Sequence, residues 1–469
     1  MSVLKNAKRI YLIGIKGVGM TALAQLLKSR GAEVWGSDTA ERFFTDEVLV
    51  KSGMECLVGF NAKHLERTID LVVRSSAYGE DQVEVKAALA KGIPLMTYAE
   101  ALGELTLDYK GIAVCGSHGK TTTAAMLAHV LKSANLSPSA IIGSSVPQFG
   151  GNALVGNGEL LVFEADEYQN KFQHLQPQGI ILTSIDWDHP DFFPTPGEYF
   201  SAFVNFLRRL PADGFVVACY DSPQVKQAVI EAGLKPEQII TYGLTNGRLQ
   251  MRRMWLDEGR WHFSAQEGEE FLGEFWLKLV GSHNVANALA VITCAKQLGV
   301  DIEVIRTGLA SFEGTARRFE VKGRLMNSVT VVDDYGHHPG EISATLKAAR
   351  AFYPYKRIRC VFQPHTFSRT KVLLPEFGAC FAEADEVIVL DTYTSAREKD
   401  GEVTSRELVS EIKKHHAQVV YKPTIAEAAD YLTETSNRSD LVLTMGAGDV
   451  WQVGESLIKK FGLAAGSEF

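Results

Sequence analysis

Short apolar runs alternate with stretches of helical periodicity over the first hundred or so residues. Runs at 9–13, 33–38 and 69–73 read as strands, and residues 20–28 carry apolar side chains at helical spacing. Strand, glycine turn, helix and strand make a βαβ unit, which predicts a parallel sheet with helices on its faces. The rhythm restarts near Tyr109, with strands at 111–115, 160–163, 180–183 and 215–219 and a helix at 123–133. Past Ile240 the period changes. Residues 248–254, 260–265 and 274–279 alternate in polarity beside the turn pairs Asn246-Gly247 and Glu258-Gly259, so antiparallel strands are expected there. A helix over 284–298 closes this unit. A third αβ pattern begins near Thr315, with strands at 329–332, 359–362, 386–390 and 441–443. Helices are expected between them at 341–351, 373–382, 405–415 and 424–433.

The expected fold is α/β in three domains. A Rossmann-like domain covers 1–107, a central phosphate-loop mononucleotide-binding domain covers 108–315, and a second Rossmann-like domain covers 316–469. The length of 469 residues suits that number. Hydrophobic residues make up 46%, enough for several cores. Lys and Arg total 48 against 56 Asp and Glu, a net charge of −8 that disfavours general nucleic-acid binding. No apolar stretch is long enough to span a membrane. The first residues lack the apolar core of a secretory signal. The six cysteines are scattered without a CxxC pair. A cytoplasmic protein with free thiols is expected.

The first chemical signal is Gly116-Ser117-His118-Gly119-Lys120-Thr121-Thr122, set between a strand and a helix. Glycines let backbone N–H groups face phosphates, and the helix N-terminus favours anions. Lys120 would reach the outer phosphates, and Thr121 would offer a hydroxyl to Mg²⁺. A nucleoside triphosphate needs hard ligands nearby. Glu164 follows one strand and His189 another, so Thr121, Glu164 and His189 are the candidate metal ligands. The turn Gly14-Ile15-Lys16-Gly17-Val18-Gly19, with Asp38 after the next strand, suggests a nucleotide diphosphate. Its G-x-x-G-x-G spacing departs from the dinucleotide G-x-G-x-x-G. Arg74-Ser75-Ser76 lies at another strand end on the same edge. In the last domain, loops carrying His337 and His338, His365 and Arg369, and Asp449 follow three strands and argue for a site. Arg317-Arg318, at the inferred junction, suits a phosphate clamp.

Taken in order, these markers resemble the Mur ligase family over about residues 8–460. They are the 116–122 loop, Glu164-Ala165-Asp166-Glu167, Asp188-His189, Gly281-Ser282-His283-Asn284, Arg317-Arg318-Phe319, Asp333-Asp334-Tyr335-Gly336-His337-His338-Pro339 and Met445-Gly446-Ala447-Gly448-Asp449. The resemblance implies an ATP-dependent ligase using ATP and two Mg²⁺ ions. Gln363-Pro364-His365 with Arg369 points, within the family, to joining L-alanine to UDP-N-acetylmuramate through an acyl phosphate, in peptidoglycan precursor synthesis. Gly14, Gly17, Gly19, Asp38, Ser75 and Ser76 would bind the UDP-sugar. The ATP set would be Gly116, Ser117, His118, Gly119, Lys120, Thr121 and Thr122, with His283 and Asn284 on the adenine side, Asp334 on the ribose and Arg318 on the γ-phosphate. His337, His365 and Arg369 would surround the alanine, with Lys120, His337 and Arg318 catalytic and His337 the base. A monomer or weak homodimer is expected.

Two departures stand out. Tyr98-Ala99-Glu100 replaces the family's usual Arg-Ala-Glu, and Thr366 stands where an arginine is common beside the histidine. Residues 199–207 hold no lysine, so the carbamylated lysine of some relatives is not expected. The competing readings are attachment of the tripeptide L-Ala-γ-D-Glu-diaminopimelate to the same nucleotide sugar, a nicotinamide-dependent dehydrogenase, and a non-catalytic nucleotide switch.

Overall fold

In the computed structural model, described for residues 3–325, 328–394, 401 and 403–464, three sheets follow one another along the chain. The first has five parallel strands in the order Cys56–Val58, Glu33–Asp38, Arg9–Ile13, Leu71–Arg74, Leu95–Thr97. Arg9–Ile13 is buried from Ile10 onward, which its continuous apolar run requires at the centre of a parallel sheet. The helix Val18–Ser29 buries Met20, Leu23, Leu26 and Leu27 against it.

The second sheet has ten strands. Its parallel heart runs Ile239–Gly243, Phe215–Cys219, Gly179–Leu182, Lys110–Cys115, Leu160–Glu164, Ser139–Val146. The expected antiparallel ribbon extends one side as Leu249–Asp257, Arg260–Glu267 and Glu270–Leu277. A hairpin of Ser139–Val146 with Gly151–Leu154 ends the other side. The sequence pattern misses that hairpin because Gly143, Ser144 and Ser145 break its apolar run.

The third sheet has seven strands, centred on Arg357–Phe362, Asp440–Met445 and Thr330–Asp334, which are parallel. Glu320–Leu325 pairs antiparallel to Thr330–Asp334. The helix expected over 373–382 is found as the shorter Leu374–Ala379, and a separate helix, Phe367–Val372, precedes it where none was expected. Pro375, in the first turn of Leu374–Ala379, has no N–H with which to continue the preceding helix. Among the described residues no helix is long and apolar enough to cross a membrane. All six cysteines are free, and only Cys56 is not fully buried.

Candidate active site

The strand Lys110–Cys115 ends at Gly116, and the helix begins at Lys120, earlier than the periodicity suggests. Lys120, Thr121 and Thr122 therefore occupy its first turn. Gly116 has φ +130°, and a Cβ there would collide with Thr183 Oγ1. Gly119 has φ +78°, and a Cβ would lie 2.6 Å from Asn287 Oδ1. Only glycine fits where the loop is pressed between a strand end and a neighbouring helix.

Lys120 Nζ donates to Gly116 O at 2.5 Å and lies 3.3 Å from Glu167 Oε2. Burial works against its charge, but Glu167, Asp166 and Glu164 outweigh that and raise its pKa. Thr121 Oγ1 donates to Glu164 Oε2 at 2.8 Å, and the Gly143 N–H donates to the other oxygen. Burial raises the Glu164 pKa despite those donors. Glu167, 1% exposed, also accepts from Tyr199 Oη at 2.9 Å, and Tyr199 in turn meets Ser117 Oγ at 2.9 Å. His189 has φ +55°, an uncommon backbone state for a non-glycine residue. Its ring joins Asp166 and Glu167 in a group whose ligand atoms lie within 4.8 Å of one another. Lys171 Nζ sits 2.5 Å from Asp166 Oδ2 and, despite burial, holds that carboxyl with Lys120 below the ordinary aspartate value.

The third sheet faces this cluster. Arg317 Nε donates to Asp333 at 2.9 Å, and its Nη atoms donate to the carbonyls of Gly446 and Gly448. Arg317 thus locks the turn that presents Arg318. Arg318 stands over the Tyr335 ring, with Nη1 3.6 Å from Glu341 Oε1. Asp334 accepts the N–H groups of Phe319 at 2.8 Å and Gly336 at 2.7 Å. Its burial pushes the carboxyl up to about 6 against the pull of Arg318.

His337 Nδ1 lies 3.1 Å from the Tyr335 carbonyl, to which a neutral ring donates its proton, leaving Nε2 as acceptor. Burial, with Arg369 nearby, brings its pKa down to about 4, so the ring is neutral at physiological pH. His365 lies 6.1 Å from it, centre to centre, and stacks on Tyr393. Arg369, 3% exposed, reaches into the second domain: Nε donates to Asp188 Oδ1 at 2.7 Å, and Nη1 donates to its own His365 carbonyl. Burial opposes the Asp188 charge, yet Arg369 with His189 holds its pKa well below the ordinary carboxylate value.

His283 and Asn284 open the helix Ser282–Gln297. Burial, with Arg318, brings His283 down to about 4. Asn284 donates to Val280 O at 2.8 Å and accepts from Asn287, the residue that abuts Gly119.

The first domain's glycine turn is self-contained. Gly14 has φ +82°, and a Cβ there would lie 2.6 Å from the Tyr78 ring. Gly17 N donates to Gly14 O, and a Cβ on Gly19 would strike Tyr98. Asp38, expected to meet a ligand, accepts from Lys16 N at 2.7 Å and Thr39 N at 2.8 Å, so its carboxylate binds the turn itself. Lys16 Nζ is committed to Asp46 and the carbonyls of Thr39 and Glu41. Ser75 is half-buried and Ser76 exposed at the end of the strand Leu71–Arg74.

The expected residues thus fall into two groups: the first-domain turn, and a cluster at the meeting of the second and third sheets. Glu167, Tyr199, Asn287 and Glu341 also belong to the cluster. Glu167 lies in an acidic run, where a signal exists. Tyr199 and Asn287 lie inside helices with no local signature.

Three family models match the chain in order. The Mur ligase family catalytic domain matches residues 9–110, the Mur ligase middle domain 114–295, and the Mur ligase glutamate ligase domain 317–448. The UDP-N-acetylmuramate–L-alanine ligase of Desulfitobacterium hafniense is 40% identical over 96% of this chain and 99% of its own length. That of Caldanaerobacter subterraneus is 40% identical over 97% of this chain and 98% of its own. The solved UDP-N-acetylmuramate–alanine ligase of Thermotoga maritima superposes with a TM-score of 0.81 at 28% identity, covering 96% of this chain and 98% of that one.

Proposed function

The chain belongs to the Mur ligase family, and on that premise we propose that it is the ATP-dependent ligase that joins L-alanine to UDP-N-acetylmuramate. The observation that carries this reading is the meeting of the phosphate-loop cluster with the third domain across one seam, where Arg369 bonds Asp188, Glu341 approaches His118 and the Arg318 charge acts on Glu164. Relatives of that activity span nearly the whole chain, which supports the choice of alanine. Domains 1–107, 108–315 and 316–469 divide the work among the nucleotide sugar, ATP and the amino acid.

The lactyl carboxylate of the sugar attacks the γ-phosphorus, ADP leaves, and an acyl phosphate forms. The alanine amine then attacks the acyl carbon, and phosphate leaves. Both steps need charge neutralised and reactants held in line. Lys120 and Arg318 supply positive charge from opposite sides of the seam. The oxygen donors suit Mg²⁺: Thr121 and Glu164 would hold one ion, and Glu167 with the neighbouring His189 a second. Mg²⁺, when bound, screens the phosphate oxygens. His337, its Nδ1 facing the Tyr335 carbonyl, presents Nε2 to the alanine amine and is the residue that would take its proton. Arg369 offers the alanine carboxylate its Nη2, the nitrogen not used by Asp188 or His365. His283, Asn284 and Asp334 flank the nucleoside of ATP, and His365 the alanine. Helix N–H groups beyond Gly17, with Gly14, Gly19, Ser75 and Ser76, cradle the UDP diphosphate, while Asp38 keeps the turn in shape. A nucleotide-linked substrate and free thiols agree with a cytoplasmic setting.

Phosphate release is the test, with ATP, Mg²⁺ and UDP-N-acetylmuramate present and one amine added at a time. Release that depends on L-alanine, with the amide product confirmed by mass, is the expected result. Release only with L-Ala-γ-D-Glu-diaminopimelate would replace alanine by that tripeptide. No release with either amine would remove the ligase reading.

A further inference from the structure

Glu341 stands in the first turn of the helix Pro339–Phe352. Its Oε2 accepts the N–H groups of His337 at 3.1 Å and His338 at 3.4 Å. A glutamate at this place in a helix ordinarily does no more than cap it. Here the second oxygen faces two further groups. Oε1 lies 3.6 Å from Arg318 Nη1 and 3.4 Å from His118 Nδ1.

Those two groups come from different directions. Arg318 belongs to the turn before the third sheet. His118 belongs to the phosphate loop of the second, with Nε2 3.4 Å from Asp186 and its ring 4.9 Å from that of His338. Among the described residues, no other carboxylate lies within ion-pair distance of Arg318. The side chain of Glu341 is 11% exposed, so water screens little of this attraction. Burial opposes its charge, but His337 when protonated, His118 and Arg318 more than offset that and hold its pKa well below the ordinary glutamate value.

A long arginine aimed at a phosphate loses much of its effect if it samples many rotamers. We propose that Glu341 is a positioning residue: its carboxylate aims Arg318 at the γ-phosphate and ties that aim to the phosphate loop through His118. The arginine is then in place only when the second and third domains are shut together. This inference rests on the ATP-dependent ligase reading and names what holds its phosphate-gripping arginine.

A double-mutant cycle tests it, read as the rate of ADP formation in the full chain at saturating ATP, Mg²⁺, UDP-N-acetylmuramate and L-alanine. Glu341→Gln keeps an acceptor oxygen for the helix cap and removes the charge. The expected loss in kcat is about tenfold, with KM for the nucleotide sugar within about twofold of the unaltered protein. The Arg318→Ala protein should be slower still, and adding Glu341→Gln to it should cost less than about twofold more. Losses that multiply, or a Glu341→Gln protein with full kcat, would overturn the inference, because a cap alone has no reason to depend on Arg318. If Glu341→Gln does not fold, Glu341→Asp carries the same cycle with a smaller first loss, and multiplying losses there overturn it equally. Absence of ADP formation by the unaltered protein would instead strike the ligase reading itself.

Discussion

Two glycine turns end strands in this protein, and both carry a lysine, yet they are built for different ends. In the first, Lys16 is 6% exposed and folds back onto Asp46 and two carbonyls, while Asp38 binds the N–H of Lys16 in the turn and that of its own neighbour Thr39. In the second, Lys120 lies among Glu164, Asp166, Glu167 and Asp188, which together raise its pKa. Glu164 meets a hydroxyl and an N–H but no cation within ion-pair distance among the described residues. One turn has settled its charges internally and offers a ligand only backbone N–H groups. The other holds charge in reserve. A glycine pattern announces that a loop can approach a phosphate; the neighbours decide whether it binds or reacts.

The sharpest way to break this contrast is Lys120→Ala. ATP-dependent ligation should fall by at least about 10³-fold, while titration of UDP-N-acetylmuramate still shows binding. Surviving ligation would erase the distinction between the turns. Arg369→Ala comes next. It strands the buried Asp188 charge, so stability should drop by about 3 kcal/mol, measured in urea, and the KM for alanine should rise more than that for ATP. An unchanged alanine KM would leave Arg369 with the Asp188 bond as its only role. Asp38→Ala probes the settled turn: about 2 kcal/mol of stability should go with the lost N–H acceptor, and kcat at saturation should hold. A collapse of kcat without loss of stability would mean that this turn also reacts. The smallest effect is expected from Tyr199→Phe, which removes the hydroxyl between Glu167 and Ser117. A loss of about 1 kcal/mol in transition-state stabilisation corresponds to a kcat several-fold lower, seen in the same ADP assay.

The α/β class is legible in the sequence because strand, glycine and helix are contiguous at Gly14–Gly19 and again at Gly116–Thr121. Short or interrupted strands are not. Cys56–Val58, Leu95–Thr97 and Val419–Tyr421 are too brief for a periodicity to register. Within the site, groups that act through local chain geometry can be read in advance, as with Thr121 beside the phosphate loop. Pairings made by domain docking cannot. Arg369 and Asp188 are 181 residues apart, and nothing near either announces the other. Glu341 reads locally as a helix cap, and its approach to His118 exists only once two sheets meet. Asp38 shows the same limit from the other side: the acid at a strand end is legible, but the N–H groups that its carboxylate holds are seen only in the fold.

The seam between the second and third domains is joined by the Arg369–Asp188 and His118–Glu341 contacts and by hydrogen bonds between Ala316 and Ser144 and Ser145. Its polar make-up bears on how a turn of the enzyme ends. Apolar faces, once parted, must be wetted at full cost, and they cling. Charged faces are received by water as they separate. A seam of this kind can grip while reactants lie inside it and still part readily to let ADP, phosphate and the finished amide escape. Faster release at higher ionic strength would be its signature.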